Sequence, residues 1–122
     1  DGKFYPGVGL IEGRAYKTGR LGRFGYIRLT GEKESFFHPN SAAGEKKQWL
    51  TAHEFHYFDS TNPGDDFTAE KPVSGRRWQC LHGTSAMLAG FPHFYYPGNP
   101  QLPETFLEKC RDYRREKEER KG

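Results

Sequence analysis

A chain of 122 residues has the length of one domain with a modest core. Aromatic residues make up 16% of it, which excludes a disordered chain, because disordered chains are poor in aromatic side chains. The net charge is only +3, and residues 108–122 mix seven Lys and Arg with five Asp and Glu, a pattern typical of a solvated helical face and not of a nucleic-acid contact.

Glycine and proline divide the first two thirds of the chain into short segments. Residues 1–7 predict a loop, followed by a short apolar strand at 8–11 and a second strand at 24–29. The polar stretch 32–47 has no periodicity and is expected to be an exposed excursion. Because Asp1 is not an initiator methionine, we expect the sequence to be a piece of a longer protein.

The clearest alternation of side chains lies at residues 53–58, which predict another strand. His53, Phe55 and Tyr57 should share one face of that strand. Glu54, His56 and Phe58 should lie on the opposite face. Further along the chain, a turn is predicted at 62–66 and a possible edge strand at 67–73. Two more strands are predicted at 78–81 and 86–96.

The C-terminal segment predicts the one long helix. Asn99 can cap it and Pro100 suits its first position. Apolar residues at helical spacing predict a buried stripe, formed by Leu102, Phe106, Leu107, Cys110 and Tyr113. Several strands followed by one helix would by themselves resemble an α+β domain, and such a sheet has an edge or face that a partner could cover.

The two cysteines, Cys80 and Cys110, lack the spacing of a metal site or a disulfide framework. No apolar stretch approaches the ~20 residues needed to cross a bilayer, and no signal-peptide pattern is present. We therefore expect free thiols in a cytoplasmic protein with neither membrane nor nucleic-acid partners.

Histidine is the residue type most suited to proton chemistry here, because its ordinary pKa is close to neutral. Of the five histidines, His38 and His82 are predicted to be surface or turn residues. His53 and His56 flank Glu54, but they lack the zinc-protease spacing and should point to opposite faces, so they cannot chelate one ion together. A histidine metal site is kept only as a minor alternative.

His93 lies in an aromatic segment that ends at Pro97, Gly98 and Asn99. From the residues alone it is either a packed strand histidine or an acid/base group. No serine or cysteine occupies a recognisable strand-to-helix elbow, and no glycine-rich phosphate loop is present. The residues alone therefore give an incomplete active site.

Several motifs, taken together in order and spacing, resemble a known family. They are Gly9-Leu10-Ile11-Glu12-Gly13-Arg14-Ala15, Leu21-Gly22-Arg23-Phe24-Gly25-Tyr26, His53-Glu54-Phe55-His56-Tyr57, Ala89-Gly90-Phe91-Pro92-His93 and Asn99-Pro100 with Phe106 and Cys110-Arg111. The sequence is similar, over about residues 6–113, to the C-terminal part of the cobyrinic acid a,c-diamide synthases, a family of cobalamin-pathway glutamine amidotransferases.

The resemblance implies an α/β fold, part of a class I, flavodoxin-like glutaminase domain over residues 1–113, with a charged helical tail at 114–122. Members are ATP- and Mg-dependent ligases. Their N-terminal P-loop domain activates two carboxylates of a corrin, cobyrinic acid, and their glutaminase domain releases ammonia from glutamine. This chain would lack both the synthetase domain and the cysteine-bearing segment.

By position, the resemblance makes His93 the acid/base partner of a nucleophilic cysteine, with which it must share an open surface. Tyr95 stands where most triad glutaminases place a glutamate, and the cobalamin subgroup lacks that glutamate. Neither cysteine of this chain aligns with the nucleophile. His53, Glu54 and His56 form a family signature with an expected supporting role, in the glutamine pocket or facing the synthetase domain, and no metal site is expected.

Two alternatives stay open at this point. The chain could be a stand-alone binding module that kept the fold and lost the chemistry. It could also belong to a related a,c-diamide synthase that acts on another tetrapyrrole.

Overall fold

A five-stranded antiparallel sheet organises the described part of the chain. The computed structural model describes residues 2–31 and 49–122, so the predicted excursion at 32–47, with His38, lies outside the described residues. The strands are β1 Ala15–Lys17, β2 Phe24–Gly31, β3 Leu50–Phe55, β4 Phe58–Ser60, β5 Phe67–Glu70, β6 Arg77–Cys80, β7 His82–Gly83, β8 Leu88–Ala89 and β9 His93–Phe94. A 3₁₀ turn, Tyr96–Gly98, and the helix α1, Gln101–Glu119, complete the fold.

The order of the main sheet is β6-β5-β2-β3-β9, and all its ladders are antiparallel. β1 pairs with β4 and β7 with β8 in two small ribbons. The prediction of a strand-rich unit with one C-terminal helix is confirmed. Every ladder between described strands is antiparallel, so these strands do not show the parallel sheet of a flavodoxin-like domain, and that part of the fold stays a prediction.

The strand predicted at 53–58 is observed with other bounds, because β3 ends at Phe55 and β4 begins at Phe58, but β3 shows the predicted alternation of side chains. Leu50, Ala52 and Glu54 are buried, whereas Thr51, His53 and Phe55 are exposed. The buried face of the sheet packs into one apolar core, formed by Ile27, Leu29, Leu50, Ala52, Phe67, Ala69, Cys80, Leu81 and Leu102. A slip of one residue in β3 would reverse which side chains enter this core, so the core fixes the register of the strand.

Three further strand predictions are wrong, in the existence, position or continuity of the strand. Residues 8–11 form no strand, and Val8 and Leu10 are 89% and 73% exposed. The strand predicted at the sheet edge over 67–73 ends at Glu70, because Pro72 follows and the Lys71 amide donates to the Arg76 carbonyl in a turn. It is also not an edge strand, since β5 lies between β6 and β2. The predicted strand at 86–96 is instead two short strands, since Gly90 and Pro92 interrupt it.

The helix is present, but its predicted apolar stripe is not buried. Only Leu102 enters the core, while Phe106, Leu107 and Tyr113 are each at least half exposed and Cys110 is exposed. Among the described residues the helix is therefore anchored at its first turn. It is also too polar to cross a bilayer, and the described ranges hold no helix that could.

Asn99 does not cap the helix through its side chain, as the sequence predicted. Its amide is turned back onto β3, where Oδ1 accepts a hydrogen bond from the Thr51 amide (3.1 Å). Its Nδ2 donates to the Thr51 carbonyl (2.9 Å) and to the Tyr95 carbonyl (2.6 Å). Asn99 is 1% exposed, so this buried amide joins the chain before the helix to β3, the strand beside the edge strand β9.

We predict that Asn99→Ala lowers the free energy of unfolding by about 2 to 4 kcal/mol, because it leaves several buried polar groups without a hydrogen-bond partner. Asn62→Ala is the matched control, since the Asn62 amide bonds to the Glu12 carbonyl at the exposed surface. Urea denaturation of both variants measures the difference. Equal small losses in the two variants would contradict the structural role given to Asn99.

Candidate functional site

His93 lies on the edge strand of the main sheet, directly opposite His53 on β3. The two imidazole rings are stacked, with their centroids 5.0 Å apart and their planes 23° from parallel. Both side chains are exposed. His93 thus faces an open surface, as the sequence predicted, and is not sealed in the core.

Glu54 occupies the opposite face of β3 and is only 1% exposed. Its Oε1 lies 3.7 Å from the Nε2 of His56 and 3.9 Å from the Nη1 of Arg23. Within the described residues neither carboxyl oxygen accepts a hydrogen bond. Burial therefore raises the pKa of Glu54, and the nearby charges of Arg23, His56 and Lys71 only partly oppose that rise.

His56 links this buried carboxyl to the segment that carries His93. Its Nδ1 lies 2.6 Å from the Phe58 carbonyl oxygen, which fixes the plane of the ring. The ring stacks on Phe91, with centroids 4.3 Å apart and planes 11° from parallel. Phe91 precedes His93 by two residues, so His53 and His56 contact the same short segment from opposite faces.

A cleft of about 340 Å³ borders Phe91 from the side of the N-terminal loop. Arg14, Asn62 and His82 are among its lining residues, and His93 is not. The Nε2 of His82 lies 2.9 Å from the Asn62 carbonyl oxygen, and His82 is a residue of β7, so its prediction as a turn residue is wrong. The cleft and the exposed histidine pair are therefore separate features.

Tyr95 follows β9 and is 57% exposed. Its backbone amide donates to the Thr51 carbonyl (3.0 Å), which continues the pairing of this segment with β3. The structure therefore places Tyr95 beside the same strand as His53 and His93. Its role as a pocket residue stays a prediction.

The cysteines differ sharply in their surroundings. Cys80 is 2% exposed, and burial, with a smaller contribution from Glu54, raises the pKa of its thiol to about 12. Such a thiol is not a nucleophile at neutral pH, because the thiolate is the reactive form. Cys110 is an exposed residue of the helix. No group of three or more metal-ligating side chains occurs among residues 2–31 and 49–122.

Two residues around Glu54 and His56, Arg23 and Phe91, were not predicted as site residues from the sequence. Arg23 approaches Glu54 and also stacks over the Trp78 ring at 5.1 Å. Phe91 looks like an ordinary strand residue, yet it is the surface on which His56 rests. The only hint was their place inside the motifs that resemble the amidotransferase family.

The comparisons with known proteins bear out the resemblance. The cobyrinate a,c-diamide synthase of Leptospira interrogans is 28% identical over 115 residues, which cover 90% of this chain and 24% of that protein. The corresponding synthases of Picrophilus torridus and Fusobacterium nucleatum are 27% and 29% identical and cover 90% and 85% of this chain. No family model and no solved structure matches.

This chain is therefore similar to cobyrinate a,c-diamide synthases along nearly its whole length. It spans about a quarter of the length of these curated relatives. The similarity includes the histidine-bearing strands β3 and β9, since the longest match covers 96% of the chain.

We predict that a thiol reagent such as DTNB modifies one of the two cysteines rapidly in the folded chain and the second only after denaturation. Cys110 is the fast thiol because it is exposed, and Cys80 is slow because it is buried with its thiol pKa at about 12. Cys110→Ser should abolish the fast phase. A fast phase that survives in Cys110→Ser would show that Cys80 is accessible.

The buried carboxyl predicts a characteristic pH dependence of stability. Because the folded-state pKa of Glu54 is raised above 4.5, the folded chain holds this proton more tightly than the unfolded chain, and stability falls as pH rises from 4.5 through the raised pKa. Glu54→Gln should remove this decline, so its stability relative to the parent improves with pH. Urea midpoints measured between about pH 4 and pH 8 report the slope.

Glu70→Gln is the control with the opposite sign. Hydrogen bonds from Arg28 and Arg77 lower the pKa of Glu70, so its stabilising contribution is present above 4.5 and is lost as pH falls through the lowered pKa. Glu70→Gln should therefore cost stability at neutral pH and converge with the parent in acid. A Glu54→Gln variant whose slope equals that of the parent would contradict the assignment for Glu54.

Proposed function

We propose that this chain is the part of an ATP-dependent, glutamine-hydrolysing cobyrinate a,c-diamide synthase that carries the acid/base histidine of its glutaminase site, His93. One observation carries the proposal: within a segment similar to such synthases, the His93 ring is exposed at the edge of the sheet. Among the described residues no hydrogen bond or ion pair engages its ring, and the residue is exposed, which supports access by a reacting group.

The proposed chemistry divides glutamine hydrolysis into two steps. A cysteine thiol outside these 122 residues gives its proton to His93 and attacks the carboxamide carbon of glutamine. His93 then delivers the proton to the leaving ammonia, and a thioester is left behind. In the second step His93 removes a proton from water, which attacks the thioester and releases glutamate and the thiol.

The nucleophile is assigned to neither cysteine of the chain. With a thiol pKa of about 12, Cys80 supplies almost no thiolate near neutral pH. Cys110 lies on the exposed helix, and the family resemblance does not align it with the catalytic cysteine. The proposed site is therefore completed by another part of the synthase.

The proposal extends to the substrates of the whole enzyme. Ammonia from glutamine would amidate two carboxylates of a corrin after ATP and Mg²⁺ have activated them, in a cytoplasmic pathway. The residues of this chain do not fit the nucleotide and its metal, since the sequence has no phosphate loop and the described residues form no cluster of metal ligands. No step of the carboxylate activation is assigned to them.

In a synthase that contains this chain, we predict that His93→Ala lowers glutamine-dependent amidation by roughly 10²- to 10⁴-fold, the usual contribution of an acid/base group. Amidation with added ammonium salt should persist, because it bypasses glutamine hydrolysis. Tyr113→Ala, which truncates a 65% exposed helix residue, is the control. Glutamine hydrolysis that persists in His93→Ala would remove this residue from the mechanism.

A further inference from the structure

We infer that the His53-Glu54-Phe55-His56 run is a positioning device that holds the segment of His93 from both faces of the sheet. Its contacts are independent of any reaction, and its importance for catalysis rests on the function proposed above. His53 and His56 are the positioning residues, and Glu54 acts through His56. These side-chain contacts are needed to position His93, because its backbone pairing alone holds it weakly.

The weakness of the backbone pairing follows from the length of β9. This strand is two residues long, and its ladder with β3 comprises only the pairs Ala52 with Phe94 and His53 with His93. Gly90 and Pro92 precede it, and a 3₁₀ turn follows at Tyr96–Gly98. Two-residue pairing at the edge of a sheet does not by itself fix a side chain, since edge strands have one free side.

On the exposed face, His53 supplies a ring contact to His93. Residues directly opposite on antiparallel strands have neighbouring side chains, and aromatic pairs in this position stabilise the pairing. The centroid distance of 5.0 Å and the 23° angle fit an offset stack. This contact restricts the rotation of the His93 ring while leaving its edge open.

On the buried face, His56 supplies the second contact. It stacks on Phe91 at 4.3 Å, and Pro92, which is buried and has a fixed φ, connects Phe91 to His93. The orientation of Phe91 is therefore transmitted to the His93 backbone through one stiff residue. Glu54 lies 3.7 Å from the Nε2 of His56 and supports that ring from within the core.

A third contact closes the far end of the segment. Asn99 donates to the Tyr95 carbonyl and bonds to Thr51, so the chain is held on β3 again two residues after His93. His93 is contacted by His53 of β3, and Phe91 by His56, which follows β3 in the chain. Tyr95 is contacted by Asn99, which is itself hydrogen-bonded to β3. One strand thus sets the position of the whole segment.

The test uses NMR on the complete 122-residue chain, with the χ1 rotamer of His93 as readout. In the parent we expect a single rotamer with a ring-current shift from His53. His53→Ala should give rotamer averaging and loss of that shift, whereas His53→Phe, which keeps a ring at the same place, should restore the single rotamer. Tyr113→Ala is the matched control, because Tyr113 is an exposed aromatic residue of the helix and pairs with neither histidine.

The buried contact is tested in the same way with His56→Ala and His56→Phe. If these buried variants fail to fold, the exposed His53 variants still decide the inference. A His93 side chain that keeps the single χ1 rotamer of the parent in His53→Ala would overturn it. Averaging of the same size in Tyr113→Ala would overturn it as well, because the effect would not be specific to the His53 stack.

Activity separates the inference from the proposed function. In a synthase that contains this chain, His53→Ala should lower kcat for glutamine hydrolysis by roughly 10- to 100-fold, the cost of a misplaced catalytic group, with KM little changed and with His53→Phe restoring most of it. If His93→Ala leaves glutamine hydrolysis intact, the proposed function fails, while the rotamer measurement still decides whether the run positions His93.

Discussion

The alternation of side chains along β3 is the constraint on which the rest of this structure depends. Because the apolar core fixes the register, Glu54 must point inward and His53 outward. The same strand forms the ladder to His93, and the chain just beyond it brings His56 onto Phe91. A compact motif of four residues thereby reaches both faces of the sheet and organises the histidine segment around one strand.

Features that depend on interactions between residues close in the sequence were predicted correctly. The alternation predicted from residue 53 onward correctly separated His53 from Glu54, although the strand ends at Phe55 and not at residue 58. The helix after Pro100 followed from its composition and spacing, and the strand at 24–29 from its aromatic and β-branched residues. These features depend on neighbours within a few residues, which a single sequence displays.

The features that sequence reasoning missed depend on distant partners. The apolar spacing of Phe106, Leu107 and Tyr113 is typical of a buried helix face, but burial depends on residues distant in the sequence, and all three side chains are at least half exposed. Asn99 has the identity of a cap, yet two strongly bonding carbonyls 4 and 48 residues away compete for its amide. The stack of His56 on Phe91 likewise needs the fold before it can be seen.

The central claim is that His93 activates a thiol elsewhere in the synthase, and the pH profile of thiol alkylation tests it most directly. In the complete enzyme, a thiolate–imidazolium pair should make the reactive cysteine nearly as fast with iodoacetamide at about pH 6 as at about pH 8.5. In His93→Gln the same thiol should become roughly a hundredfold slower at the lower pH, as an ordinary thiol with a pKa near 8.5 does. An alkylation profile that is identical in the parent and in His93→Gln would contradict the account.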